Sequence, residues 1–310
     1  MNPSCSARLK MRFGPSGIHL FSRDSGLNVL IDEVVPPAEI WTKAPRHVSI
    51  ALTNACDLSC AHCYAPKSYA VLPYDRLIDW IKELDEAGTI GIGFGGGEPT
   101  LYPRFAELCA RISTGTAVAV SFTTHGHHLT DSLLTDIANT VNFVRVSVDG
   151  IGTTYEQIRG KSFIALQHRL RMLRTVTPFG INYLVNSMTF PDLTAALEFA
   201  ADIGATEFLL LPEQPVDGRP GIDSETMRAL GKWVSGYRGS VRLAISDSGA
   251  TGIATCDPLA RDTGFRAMAH IDAHGVLKRS SFDKRGISIG SEGILRVLER
   301  FQIDGEAQKL

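Results

Sequence analysis

The sequence predicts an α/β chain built around an open barrel of parallel strands, each followed by a helix. Two observations predict it. Short apolar runs rich in β-branched residues recur through residues 46–238, and amphipathic stretches of helical length separate them. Repeated strand–helix units imply a parallel sheet, and their shared right-handed sense curls it. Six such units fall short of an eight-stranded barrel, so a partial (β/α)6 barrel fits. An N-terminal β-hairpin with its linker (residues 1–45) and a small C-terminal α+β extension (239–310) flank it.

The elements follow in order. Leu9 to Phe21 and Leu27–Ile31 read as hairpin strands about the turn Arg23-Asp24-Ser25-Gly26. They form a covering sheet, with substrate handling as the second reading. Pro36-Pro37 and Pro45 mark the linker. His47 to Thr53 is the first core strand. Tyr74 to Ala87 carries Leu77, Ile78, Ile81 and Leu84 on one helical stripe and stops at Gly88. A second strand begins at Ile90. Helices are expected at 104–112, 131–138, 163–176, 193–203 and 224–237, with strands at 117–124, 143–148, 181–185 and 207–211. Beyond residue 238 the alternation stops. A strand at 241–245, a hairpin about Asp272-Ala273-His274-Gly275 and a helix at 294–301 remain.

Composition bounds the function. The chain has 310 residues, 44% apolar and 21% charged, with a net charge of −2. Nothing marks a polyanion partner, so nucleic acid is disfavoured. No apolar run reaches the roughly 18 residues of a membrane span, no membrane partner is expected, and the first residues lack a signal-peptide core. The cysteines cluster as a metal motif and not as a disulfide framework, and a cytoplasmic location is expected.

Three of the six cysteines, Cys56, Cys60 and Cys63, fall in one loop directly after the first core strand. Thiolates select zinc, Cu(I) or iron–sulfur clusters. A structural zinc site is closed by four ligands, and no Cys-x2-Cys or His-x3-His partner follows at the usual spacing. A cubane held by three thiolates keeps one iron open. A zinc loop or a reactive thiol cluster stays as the alternative on the triplet alone. The second strand ends in Gly95-Gly96-Gly97-Glu98-Pro99. Glycine lets the backbone approach a ligand closely, and strand-end carbonyls beside a carboxylate suit an ammonium group.

The Cys-x3-Cys-x2-Cys spacing, with His62 before the third cysteine, and Gly96-Gly97-Glu98-Pro99 together resemble the signature of the radical S-adenosylmethionine (radical SAM) superfamily. The resemblance implies a partial barrel, one [4Fe–4S] cluster on Cys56, Cys60 and Cys63, and SAM chelated at the open iron. It implies further SAM contacts at His62, Gly96, Gly97 and Glu98. Thr124 precedes His125-Gly126 where relatives often have Thr-Asn-Gly. Ser147 and Asp149 match positions that in relatives lie near the SAM ribose and carboxylate, and Arg159 resembles an arginine that relatives use near that carboxylate. Asp149-Gly150 also reads as a turn and Arg159 as a surface arginine. His125-Gly126-His127-His128 reads as a polar loop or a metal tract. Cys109 reads as a buried small hydrophobe and Cys5 as part of a loose terminus.

The C-terminal stretch resembles the SPASM and twitch extension, in which a cysteine, a later glycine and a cysteine five residues on begin an auxiliary cluster. Here Cys256 precedes Gly275, but Ser280 and Ser281 stand where the next cysteine would. One thiol cannot hold a cubane, so the extension is expected to be a degenerate version retained for its shape. Three readings of Cys256 compete: core thiol, relic ligand, or hydrogen donor to a substrate radical. The resemblance implies reductive cleavage of SAM, a low-potential flavodoxin or ferredoxin as electron donor, and a ribosomally made precursor peptide as substrate. A peptide substrate would need either a separate peptide-recognition protein or the hairpin at 8–32. A sugar or alcohol is the alternative substrate, and a non-catalytic iron–sulfur electron carrier or sensor the alternative class.

Overall fold

A computed structural model describes residues 9–216 and 218–307. Cys5 lies outside the described residues. Three strands, β1 (Lys10–Gly14), β2 (Gly17–Ser22) and β3 (Leu27–Ile31), form an antiparallel sheet, so the expected hairpin is a meander. The stretch 9–21 folds on itself at Gly17, whose φ of +125° and missing side chain let the Ile31 carbonyl approach.

The remaining strands make one ten-stranded sheet. The parallel run is β4 (His47–Thr53), β5 (Gly91–Gly96), β6 (Ala119–Thr124), β7 (Phe143–Ser147), β8 (Phe179–Val185), β9 (Glu207–Pro212) and β10 (Arg242–Ile245). Helices α1 (Tyr74–Glu86), α2 (Phe105–Gly115), α3 (Asp131–Ile137), α4 (Thr153–Arg159), α5 (Phe163–Leu173), α6 (Leu193–Asp202) and α7 (Ser224–Gly236) connect them. The alternation therefore continues one strand past residue 238, because α7 returns β10 parallel to β9. On the other side of β4, β11 (Met268–Ile271) pairs parallel to it, and β12 (Val276–Lys278) and β13 (Ile287–Ser288) complete the edge. The C-terminal helix α8 (Ile294–Ala307) docks on α1, where Glu83 accepts the backbone N–H groups of Ile294 and Leu295 at 2.9 and 3.1 Å.

Strand alternation divides the residues between two faces. Val48, Ile50, Leu52, Ile92, Phe94, Val120, Phe122, Val144, Val146, Ile181, Tyr183, Phe208 and Leu210 point to the helices and are essentially inaccessible. Burial of that face holds the barrel together at about 25 cal/mol per Å² of apolar surface. The opposite face carries His47, Ser49, Ser121, Arg145, Asn182, Glu207 and His270, with Phe143 and Leu209 among them. Arg145 pairs with Glu207 and donates to Asn182 Oδ1 at 3.3 Å. The His47 ring lies across Gly91 and Gly93, where a Cβ would stand 2.8 Å from its nitrogens. Two of the glycines in β5 thus make room for a histidine.

Burial holds His47 and His270 neutral, with pKa values down to about 4. The unfolded chain takes up these protons first, so their contribution is complete above about pH 6.5 and is lost as pH falls through about 4. The thermal midpoint of the metal-free chain is expected to drop across that window. His47→Gln with His270→Gln should flatten the drop, and an equal slope in the double variant would refute the assignment.

The N-terminal sheet is turned the unexpected way. Its polar face meets the barrel: Lys10 is bound by Asp85 and the Thr89 carbonyl. Arg12, 3% exposed, donates to the carbonyls of Gly88 (2.7 Å) and Ala44 (2.9 Å). Its apolar face, with Met11, Leu27, Val29 and Ile31, faces outward.

Candidate functional site

Parallel barrels gather their chemistry at the carboxyl ends of the strands, and the loop after β4 is such an end. It is tied down locally. Thr53 Oγ1 donates to the Ala70 carbonyl (3.1 Å) and accepts from the Ala55 N–H (3.0 Å), and the Asn54 side chain donates to the Ser68 carbonyl. Cys56, Cys60 and Cys63 are free and half-buried. The Leu58 N–H lies 3.4 Å from Cys56 Sγ, and Arg159 reaches Cys60 Sγ at 3.6 Å. Burial pushes the Cys56 thiol up, so coordination is what would deprotonate it.

The glycine run after β5 is bolted to this loop. Gly97 N–H donates to the Thr53 carbonyl and Glu98 N–H to the Ala55 carbonyl, both at 2.8 Å. Gly96 has φ +112°, and a Cβ there would come within 2.3 Å of the Thr53 carbonyl. At Gly97 it would come within 2.2 Å of the Ala55 carbonyl. The close approach expected at these glycines is to the cysteine loop. Gly95 has nothing within 4 Å and is the open position.

Glu98 is fully buried, and its carboxylate is already satisfied. Oε1 accepts from Thr100 N (3.1 Å), Thr100 Oγ1 (2.7 Å) and Thr124 Oγ1 (2.8 Å), and Oε2 accepts from His125 N (3.0 Å). It braces the strand ends. A ligand ammonium there would meet backbone carbonyls.

His125 extends the brace to Asp57 in the cysteine loop (2.9 Å), which also lies 3.2 Å from His128 and 3.5 Å from Lys161. Partial burial opposes charge on Asp57, but the two histidines bring its pKa down to about 2. Atoms of Cys56, Asp57 and His125 lie within 4.8 Å of one another. The expected histidine tract thus belongs to the cysteine loop's support, and His127 instead bonds the Tyr155 hydroxyl at 2.8 Å.

A second bridge crosses from β7. Asp149, 2% exposed, accepts from Leu184 N through Oδ1, while Oδ2 lies 2.5 Å from Arg159 and 3.3 Å from His62. Burial alone would raise the carboxyl pKa, but Arg159 and His62 hold it down to about 2. Gly150 does form a turn, with φ +86°, so both readings of Asp149-Gly150 hold. The surface reading of Arg159 fails, because its side chain is only 11% exposed. Ser147 ends β7, half-buried on the inward face.

Sequence reasoning missed Arg219, which donates to the Cys63 carbonyl at 3.1 Å, and the part of Asp57. Nothing in the spacing marks Arg219; Asp57 stood between two of the cysteines. The structure buries Cys109 completely and leaves Cys256 exposed, so the core reading of Cys256 does not stand. From the C-terminal extension, Phe282 packs on Tyr64 beside Cys63 with ring centroids 4.7 Å apart.

The comparisons agree with this geometry. Residues 50–202 match the model of the Radical SAM superfamily. The chain is 31% identical to an AdoMet-dependent heme synthase of Methanosarcina barkeri over 183 residues, 55% of this chain and 52% of that protein. It is 28% identical to the sporulation killing factor maturation protein SkfB of Bacillus subtilis over 201 residues, 56% and 48% of the two. The chain thus spans about half the length of these relatives. Its fold matches Streptococcus suis SuiB, solved with the precursor peptide SuiA, with a TM-score of 0.76 at 13% identity. That match covers 94% of this chain and 87% of SuiB. Members of the family use a [4Fe–4S] cluster and SAM, and three half-buried thiols with N–H donors aimed at two of the sulfurs fit that cluster. No described helix is long and apolar enough to cross a membrane. Residues 50–202 of the chain belong to the radical SAM superfamily.

Proposed function

We propose that this protein is a radical SAM enzyme acting on a ribosomally made peptide. The observation that carries the reading is the cysteine loop, locked to the glycine run by two backbone bonds and to β7 through Arg159 and Asp149. When bound, the cofactors supply reductive cleavage of SAM to methionine and a 5′-deoxyadenosyl radical that takes hydrogen from the substrate. The chain's residues supply position and shelter. Cys56, Cys60 and Cys63 would hold the cluster. Carbonyls of the glycine run would face the SAM ammonium, and the unpartnered Arg159 Nε its carboxylate. His62, Thr124, Ser147 and Asp149 would shape the pocket around the rest of SAM. A flavodoxin or ferredoxin would deliver the electron.

The peptide reading is supported by SkfB, a maturation protein, and by SuiB, which binds a precursor peptide. A separate recognition protein would present the peptide. A small polar substrate is the second reading, favoured by Arg145, Asn182, Glu207 and His270 on the inward face. Anaerobic reconstitution with dithionite and SAM tests both. 5′-Deoxyadenosine with a mass change in a peptide encoded nearby supports the first. Turnover of sugars or alcohols alone supports the second. No SAM cleavage at all would leave an electron carrier or sensor.

Exposure of Cys256 leaves the relic and hydrogen-donor readings, and a donor would suit a redox-neutral product such as an epimer. Cys256→Ala is then expected to form 5′-deoxyadenosine normally while the product is lost or diverted, as read by mass spectrometry. Unaltered product at full rate would make it a relic.

A further inference from the structure

We propose that Arg159 sets the reduction potential of the iron–sulfur centre by donating an N–H···S hydrogen bond to the Cys60 thiolate. The guanidinium stands at the end of α4, in a helix whose next residue, Gly160, leaves in the left-handed region at φ +64°. One terminal nitrogen points to Cys60 Sγ at 3.6 Å and the other to Asp149 Oδ2 at 2.5 Å. Asp149 is itself fixed by the Leu184 N–H and by His62. The planar fork thus has its two ends held by two acceptors, which a lysine ammonium cannot reproduce.

Hydrogen bonds to cluster sulfurs are among the levers that tune potential. Reduction adds a negative charge that spreads onto the thiolates, so a donor at Cys60 favours the reduced state. Asp149 offsets much of the guanidinium's net charge, which leaves the directed bond as the larger influence. The same guanidinium has its Nε buried without a partner, which leaves one donor free for the SAM carboxylate proposed above.

The inference rests on Cys60 being a cluster ligand, which the iron content of cysteine variants tests separately. The test is a redox titration of the reconstituted full chain without SAM, followed by EPR of the reduced cluster, with iron content measured for each variant. In Arg159→Met the ratio of reduced to oxidised cluster at the wild-type midpoint is expected to fall about tenfold, a shift of about 59 mV for one electron. An exchangeable-proton coupling in the ENDOR spectrum should disappear with it. Arg159→Lys keeps the charge without the fork and should lie between the two. An unchanged midpoint in a fully loaded Arg159→Met chain overturns the proposal. Should Arg159→Met fail to load, a wild-type midpoint in Arg159→Lys overturns it equally.

Discussion

Replacing Cys56, Cys60 and Cys63 together by alanine is expected to remove the cluster and all SAM cleavage while the barrel still folds. The wild-type chain should bind about four irons, the content of one cubane. The three thiols sit on a loop outside the strand core; the substitutions remove the contacts of Leu58 and Arg159 to sulfur but leave the loop's ties through Thr53, Asn54 and Asp57 in place. Circular dichroism should therefore be nearly unchanged as the cluster absorbance vanishes. About eight irons in the wild-type chain, or any cluster in the triple variant, would show a second centre. Among the described cysteines outside the loop, Cys109 lies within the α2 core and Cys256 is exposed, so a second centre would need ligands of another kind.

Gly97→Val is expected to cost iron as well as SAM affinity. Its side chain would be driven into the Ala55 and Asn54 carbonyls, at 2.2 and 2.6 Å from the first carbon alone. Backbone cannot swing aside as a flexible side chain does, so the penalty belongs at the upper end of about 1–3 kcal/mol for overpacking. The cysteine loop should yield first, because the opposite wall is the buried Glu98 network. Gly95→Ala is the control: with nothing within 4 Å it should keep its iron. Iron and sulfide assays on both variants decide the matter. Full iron in Gly97→Val with only SAM binding weakened would return the glycine to a ligand-facing role.

These cases show what was legible in the sequence. The barrel was, because its helix-facing positions are apolar with a clean period of two and its helices carry apolar stripes. The cysteine spacing and the glycine run were legible as well. Long-range partnerships were not. A glycine announces that something comes close, but Gly96 and Gly97 do not say whether a ligand or the Ala55 carbonyl does. β11 reads as half of a hairpin, and only the folded chain shows it beside β4, more than two hundred residues away. α4 escaped notice because it is seven residues long and buries one side chain, Tyr155, too little to show a period. His125 stood out as a departure from a family pattern and as part of a histidine tract, but its partner Asp57 lies on another loop.

The outward apolar face of the N-terminal sheet has a consequence for how the protein behaves in a tube. β3 is an edge strand with no further partner among the described residues, a ready template for joining chains. Exposed Asp24 stands before it and exposed Asp32 and Glu33 follow it. Two copies meeting antiparallel through β3 would set the acids of one against those of the other, and like charges opposite one another destabilise such a pair. Asp24 is partly offset by Arg23 at 3.4 Å, so Asp32 and Glu33 are expected to carry most of this repulsion. Their reach shrinks from a screening length of about 10 Å at 0.1 M salt to about 3 Å at 1 M. Concentrated salt is therefore expected to weaken this chain's protection against its own edge.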